Sequence, residues 1–297
     1  MRTDKINFTK MHACGNDYIY FYLQSEERLH DLIASVPALS NRRVGIGGDG
    51  VVLILPSETA DARMRMFNSD GSEGNMCGNA IRCVAKYLFD NRIITKTKIH
   101  IETNSGTKTL YITAENGETT LVKVDMGVAE TAPGKIPVNL DGDAIIAAPI
   151  TVGGHVYNIT CVSMGNPHAV IFTDNVDAVD IGYIGPLIEN HPLFPDRVNV
   201  EFAELVNTEN PQEANPYATL LKTRVWERGA GATLSCGTGA CAAVVAAVLN
   251  GYCAKDTDIT VKLPGGELLV KYTEKRCYLT GGCVKVFEGA IVLEGLI

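Results

Sequence analysis

Cys77-Gly78-Asn79 and Cys236-Gly237-Thr238 repeat one short motif 159 positions apart. Ten residues before each cysteine stands an aromatic, Phe67 or Trp226, that closes a β-type run. After the first motif, Ile81, Val84, Ala85 and Leu88 recur at helical spacing and predict a helix over about Cys77 to Phe89. After the second, the stretch from about Gly237 to Asn250 is apolar all round, which predicts a helix buried on every side. That helix ends at Gly251, in the position a C-terminal cap prefers. A further match, Gly15-Asn16 with Gly165-Asn166, lies 150 positions apart. A period near half of the 297-residue chain predicts a duplicated domain rather than a solenoid.

The segments between these anchors read mainly as strands. Ile6, Phe8 and the apolar run Tyr18 to Leu23, split by His12-Ala-Cys-Gly-Asn-Asp17, predict strand, polar turn, strand. Val51 to Leu55 and Ala62 to Phe67 are β-type runs, and so are Lys98 to Glu102, Thr109 to Thr113 and Leu121 to Asp125, with Asn116-Gly117 as a hairpin turn. Gly127 to Asp143, holding Pro133, Gly134, Pro137 and Gly142, is the expected linker between the halves.

The two cysteines occupy a chemically special place. Unpaired backbone N–H groups and the helix dipole at a helix start stabilise a thiolate and lower its pKa below the free value of about 8.5. The same N–H groups bind a carboxylate, and Gly78 and Gly237 let the backbone approach a ligand closely. Two such helix starts facing each other would hold an α-amino acid with a sulfur on each side of Cα. One thiolate would remove the α-proton while the opposite thiol delivers another, which inverts the stereocentre. A single cysteine at a helix start is more often structural; a pair in repeat-equivalent positions points to symmetric chemistry. His168, in Gly165-Asn-Pro-His168, and Glu227 are the further candidates for acid–base work. Glu227-Arg228 follows an apolar strand and precedes Gly229-Ala-Gly231, a loop that would carry it into a cleft.

Other classes are disfavoured. A net charge of -8 argues against nucleic acid or an anionic membrane as partner. Charged residues at 20% and hydrophobic residues at 46% are ordinary globular composition. The longest strongly apolar run, Ala240 to Leu249, is about half of a bilayer span, and Met1 to Asn16 has no apolar signal-type region. A soluble, cytoplasmic protein is therefore expected. Nine cysteines without a Cys-x-x-Cys pair suit neither a disulfide framework nor a structural zinc site. No metal site is expected either, because the remaining histidines show no ligand spacing. Gly45-Ile-Gly-Gly-Asp-Gly50 fits the dinucleotide pattern formally, yet it precedes a β-type run rather than a helix, so no nicotinamide or flavin site is assigned to it.

At these residues the chain resembles the diaminopimelate epimerase family. The matching stretches are His12-Ala-Cys-Gly-Asn-Asp-Tyr18, Arg43 to Gly50, Phe67 to Arg82, Gly165 to His168, Arg197-Val-Asn-Val-Glu201, Arg224 to Gly229 and Ser235 to Ala240, in the family's order and spanning the chain. The resemblance implies an α/β fold of the α+β type with two pseudo-symmetric domains, each a mostly antiparallel, barrel-like β-sheet around a central helix. Residues 1–130 and 131–285 would form the domains, with a C-terminal strand at about 286–297 returning to the first. Cys77 and Cys236 match the two catalytic bases. Asn16, Asn68, Asn166, Asn199, Glu227 and Arg228 match substrate-contacting positions. Gly78-Asn79 and Gly237-Thr238 match the helix-start amides that hold the reacting carboxylate, while Asn68, Asn199 and Arg228 resemble the residues that fix the distal end of the substrate. The family uses neither pyridoxal phosphate nor a metal, acts on a small amino-acid substrate and forms homodimers. Many members carry Gln where Gly50 stands and Glu where Ala232 stands. Two competing readings are a racemase of another amino acid on the same scaffold and a thiol-redox or metal-buffering protein.

Overall fold

The computed structural model describes residues 5–206, 217–274 and 276–294. The chain divides into two compact units, Met1–Val124 with Gly281–Ile297, and Asp125–Thr280.

In the first unit, β1 (Lys5–Ala13) and β2 (Asn16–Tyr22) form an antiparallel hairpin. Its turn is Cys14-Gly15, both with positive φ, at 51° and 79°. A two-residue hairpin of this type requires left-handed backbone at both central positions; glycine adopts it freely, whereas Cys14 is held there. Helices α1 (Leu29–Ala34) and α2 (Val36–Ser40) follow, then β3 (Gly50–Leu55), parallel to β2, and β4 (Ala62–Asn68), antiparallel to β3. A two-residue strand β5 (Glu73–Gly74) leads into α3 (Gly78–Asp90). Next come β6 (Lys98–Glu102), parallel to β4, and the hairpin of β7 (Lys108–Glu115) and β8 (Glu118–Gly127), which turns on Asn116-Gly117 as the sequence predicts.

Strand alternation sorts the core into two faces. Ile19, Phe21, Val51, Leu53 and Phe67 pack with Leu32, Val36 and Leu39 of α1 and α2. Their neighbours along the strands face the other way, where α3 packs against β1, β2 and β7. There the Tyr20 hydroxyl donates to Ala80 O at 3.4 Å.

The second unit repeats this plan. It begins with β9 (Ala148–Val152), β10 (His155–Ser163) and β11 (Pro167–Phe172), followed by α4 (Ile181–Glu189). Then come β12 (Asn199–Val206), parallel to β11, β13 (Leu220–Glu227) and β14 (Gly231–Thr233). The unit continues with α5 (Gly237–Leu249), β15 (Asp258–Leu263), β16 (Gly266–Tyr272) and β17 (Cys277–Gly281). The last strand of the chain, β18 (Val284–Val292), belongs to the first unit, where it pairs antiparallel with β1. Cys161, Ala169, Ile171, Val200 and Phe202 pack against Ile181, Ile184 and Ile188 of α4. α5 lies against β10 to β13, β15 and β16. The pairing registers make the duplication explicit. Val51 lies opposite Phe67 and Val200 opposite Trp226; Phe67 pairs with Glu73 and Trp226 with Ala232.

Three expectations change. Gly127 to Asp143 is not a free linker: Ile136 and Val138 are buried in the second unit's core, and Glu130 forms a bridge with Ser163. Apolar residues on either side of Pro137 anchor it, a signal the Gly/Pro content masks. The polar turn of the first hairpin shrinks from His12–Asp17 to Cys14-Gly15, because backbone pairing continues to the Ala13–Asn16 pair. Finally α1, α2 and α4 were not predicted. They are short, and α4 contains Gly182, Gly185 and Pro186. Gly185 is needed there, since a Cβ would lie 2.6 Å from the Trp226 ring.

The Gly45–Gly50 loop is glycine-rich for packing reasons. A Cβ at Gly45 would meet Ala38 O at 2.1 Å, and one at Gly50 would meet Phe67 O at 1.9 Å. The loop is tied to the first hairpin by ions: Lys10 Nζ lies 2.6 Å from Asp17 and hydrogen-bonds Gly47 O, while Arg42 bridges Asp17 and Asp49 at 2.6 and 3.0 Å. Burial pushes the Asp17 carboxyl up, but hydrogen bonds and charge from Arg42 and Lys10 outweigh it and hold the group below its ordinary value of 3.8. A depressed folded-state pKa contributes stability that is present above the unfolded value and lost as pH falls through the folded one. Asp17→Asn should therefore lower Tm at pH 7, and the difference from the parent should shrink below about pH 4. Thermal melts between pH 7 and pH 3 check this; a gap constant down to pH 3 would remove the ion pairs as its cause.

Candidate active site

Cys77 and Cys236 stand at the same place in the two units, each the N-cap of its central helix with extended backbone (φ −132° and −119°). No acidic residue occupies the first turn of either helix. Neither helix start carries the serine, threonine, aspartate or asparagine that usually satisfies the first N–H groups. Cys77 makes no side-chain cap, and Cys236 Sγ accepts from Gly239 N–H at 3.3 Å. The amides after Gly78 and Gly237 are the groups that sequence reasoning assigns to an anion.

In the first unit the Cys77 thiol, half-buried, donates to Asn16 Oδ1 at 3.4 Å. The amide of Asn16 is oriented by Asp49, whose Oδ2 accepts from Asn16 Nδ2 at 2.7 Å and from Asp17 N–H at 3.1 Å. Asp49 belongs to the loop that formally matches a dinucleotide motif; here it aims a side chain next to Cys77. Asn79 is buried and accepts from Arg82, whose guanidinium also donates to Gly78 O at 3.0 Å. Asn68 is exposed at the end of β4 and donates to Ser72 Oγ at 3.0 Å.

The second unit surrounds its cysteine with a longer polar chain. Glu201 Oε1 lies 2.7 Å from His168 Nδ1, His168 Nε2 lies 3.0 Å from Asn166 Oδ1, and Asn166 Nδ2 donates to Thr238 Oγ1 at 3.2 Å. Thr238 Oγ1 is in turn 3.4 Å from Cys236 Sγ. Glu201 and His168 are fully buried, and a Cβ on Gly239 would meet Glu201 Oε1 at 2.6 Å, so the carboxylate lies directly beneath the first turn of α5. Burial pushes the Cys236 thiol well up, reinforced by the negative charges of Glu227 and Glu201 and opposed by the Thr238 and Gly239 hydrogen bonds. Burial also raises Glu227, against a hydrogen bond from Thr233. These shared perturbations bring Glu227, Glu201, His168 and Cys236 into one electrostatic cluster.

Asn199 and Arg228 meet at the mouth of β12 and β13. Asn199 Oδ1 accepts from Arg228 N–H at 2.9 Å, and Asn199 Nδ2 donates to Pro167 O at 2.8 Å. The exposed Arg228 guanidinium donates to Asp196 O at 2.9 Å, and among the described residues no carboxylate lies within ion-pair reach of it. Within the first unit the structure thus groups Cys77, Asn16, Gly78 and Asn79. Within the second it groups Cys236, Gly237, Thr238, Asn166, His168 and Glu227, with Asn199 joined to Arg228. Asn68 makes its side-chain bond to Ser72 within its own turn. Sequence reasoning missed Asp49, Arg82 and Glu201. Glu201 had a signal, since a charge inside Val198-Asn-Val-Glu-Phe202 interrupts a buried strand.

The family model described as diaminopimelate epimerase matches residues 8–132 and 160–286. The diaminopimelate epimerase of Acetivibrio thermocellus is 50% identical over 293 residues, covering 98% of this chain and 100% of that protein. The diaminopimelate epimerase of Desulfovibrio desulfuricans is 49% identical over 292 residues, covering 96% and 97%. Among solved structures, the Bacillus anthracis phenazine biosynthesis protein of the PhzF family superposes with a TM-score of 0.67 at 17% identity, covering 97% of this chain and 99% of that one, a likeness of fold. With both halves matched and relatives half-identical along nearly its whole length, this chain belongs to the diaminopimelate epimerase family.

Proposed function

We propose that this chain interconverts LL-2,6-diaminopimelate and meso-diaminopimelate, as an isomerase of lysine and peptidoglycan-precursor biosynthesis that works without a cofactor. The observation that carries the reading is the pair of cysteines at the N-caps of two equivalent buried helices. Inverting Cα needs one group to accept the α-proton and a second to deliver one, and general acid–base catalysis of this kind contributes roughly 10²- to 10⁴-fold. Each unit supplies one sulfur for the purpose. His168 and Glu227 adjust the protonation of the cluster around Cys236, while Asn16 and Asn166 orient polar contacts beside the two cysteines.

The reacting carboxylate is assigned to the helix-start amides at Gly78-Asn79 and Gly237-Thr238. The distal carboxylate is assigned to Arg228, helped by Asn68 and Asn199. An exposed guanidinium that has no carboxylate partner among the described residues suits that role, since its planar fork binds a carboxylate bidentately. The same residues argue against a racemase of an amino acid lacking a distal carboxylate. We also propose a cytoplasmic homodimer. Nine unbridged cysteines suit a reducing compartment. No helix among the described residues is long and apolar enough to cross a membrane. β18 exposes Val284, Val286 and Phe287, an apolar strip that a second copy would cover.

Cys77→Ala and Cys236→Ala should each abolish epimerisation, measured as loss of α-proton exchange from LL-diaminopimelate in deuterated water. Cys161→Ala and Cys253→Ala, in buried positions away from the helix starts, should change stability alone. Full turnover by either N-cap variant would end the two-base mechanism. Arg228→Lys should lower kcat/KM for diaminopimelate by about 10- to 150-fold, the equivalent of one charge-assisted hydrogen bond of about 1.5–3 kcal/mol. Unchanged kinetics would favour a substrate without a distal carboxylate. Sedimentation should show a dimer that Val286→Glu splits into monomers; a parent chain that sediments as a monomer at micromolar concentration would refute the assembly.

A further inference from the structure

One buried carboxylate takes no part in the chemistry above yet holds the whole Glu227–Arg228 segment. Glu189 is the last residue of α4 and is 5% exposed. Its Oε2 accepts from Trp226 Nε1 at 2.7 Å; its Oε1 accepts from Gly229 N–H at 2.9 Å and from Arg197 at 3.1 Å. The bonds to Trp226 and Gly229 thus bracket Glu227 and Arg228. The bond to Arg197 reaches the segment that supplies Asp196 O to the Arg228 guanidinium and Asn199 Oδ1 to its backbone N–H. Arg197 itself has a positive φ of 58°, a conformation that a bulky side chain adopts when its surroundings hold it.

The other half of the duplication lacks this arrangement. By strand register Phe67 occupies the place of Trp226, and a phenyl ring has no N–H to offer a carboxylate. The residue that follows Asn68 there is Ser69, at the position of Arg228. The arginine and the buried acceptor that fixes its strand end therefore occur together, in one half.

We infer that Glu189 is a specificity-determining positioning residue: it holds the end of β13 so that Arg228 is preset to receive the distal carboxylate. This rests on Arg228 being that anchor. Both oxygens of Glu189 accept from N–H donors, so Gln, though nearly isosteric, must turn an NH₂ group toward one of them. The bond then becomes a donor facing a donor, and the backbone between Trp226 and Gly229 loses one of its two fixed points.

The test is steady-state kinetics with LL-diaminopimelate on the intact enzyme for Glu189→Gln, Trp226→Phe, Arg228→Lys and the double variant Glu189→Gln/Arg228→Lys. Glu189→Gln should raise KM about tenfold with a smaller change in kcat, and Trp226→Phe, which removes one donor and keeps the ring, should raise it less. In the Arg228→Lys background Glu189→Gln should add little, because the two act through one contact; independent structural damage would multiply instead. An unchanged KM in Glu189→Gln, or multiplied penalties in the double variant, overturns the proposal. If Glu189→Gln does not fold, Trp226→Phe alone and combined with Arg228→Lys decides by the same criterion. Should Arg228→Lys itself leave KM unchanged, the anchor reading fails, and that outcome is separate from failure of the Glu189 assignment.

Discussion

Each unit depends on a helix that is buried on nearly every side and whose first N–H groups must therefore be satisfied from within. α5 buries every residue from Gly239 to Ala247. Such a helix has no stability of its own in water and exists because a sheet wraps it. That wrapping fixes where the helix begins. Ordinary capping residues contribute about 1 kcal/mol at such a start, and cysteine is a poor substitute for them. The sequence thus leaves amides at two internal helix starts with weak local partners, beside two sulfurs. Weak capping costs some stability, and amides at a helix start are the groups to which an anion binds.

Much of the fold is legible from the sequence because local chemistry and tertiary structure agree there. Asn116-Gly117 demands a tight hairpin, and the stretch Ala240 to Leu249 admits no orientation with a polar side, so turn and buried helix follow directly. The helices α1, α2 and α4 are different. Each is held by contacts distant in sequence: Leu32 and Leu39 pack on β2 and β3, and Gly185 lets α4 approach Trp226. Nothing within a nine-residue window carrying Gly182, Gly185 and Pro186 favours a helix. The candidate site divides in the same way. Cys77, Cys236 and the turn asparagines were visible as a repeat. Asp49 and Glu201 act through pairs 33 residues apart, Asn16 with Asp49 and His168 with Glu201, and Glu189 binds Trp226 at a separation of 37. Such partners are found by register, and register is set by the sheet.

The two halves hold their turn asparagines with opposite hydrogen-bond polarity. Asp49 accepts the NH₂ group of Asn16, which leaves the carbonyl oxygen toward Cys77. His168, backed by Glu201, engages the carbonyl oxygen of Asn166, which leaves the NH₂ group to Thr238. The Thr238 oxygen accepts there and lies 3.4 Å from Cys236 Sγ. The first sulfur thus faces an amide oxygen, and the second faces the Thr238 hydroxyl and accepts from Gly239 N–H. The choice is made by carboxylates that never touch either sulfur directly in these chains. An amide held between two fixed partners resists flipping, so its orientation is set by the fold.

Divergence within the duplication follows from what the proposed substrate requires. Diaminopimelate carries the same amino-carboxylate group at both ends, so a symmetric site would have no means of holding one end while the other reacts. Duplication alone produces the symmetric part, two cysteines on two helices. The asymmetric part includes positions where the second half carries His168, Glu201 and Arg228. By strand register Tyr18 and Val52 correspond to His168 and Glu201, and Ser69 corresponds to Arg228. Buried charges are costly unless they are hydrogen-bonded: Glu189 has Trp226, Gly229 and Arg197, whereas Glu201 binds His168 through Oε1 and its Oε2 makes no hydrogen bond among the described residues. A carboxylate that binds three donors around a strand end fixes that end more firmly than apolar packing does, because its bonds are directional. Both halves bury charge, Lys10 and Arg82 in the first and Glu189 and Glu201 in the second; in the proposed mechanism it is the strand end held by Glu189, with Arg228 on it, that distinguishes the end of the substrate that is held from the end that is inverted.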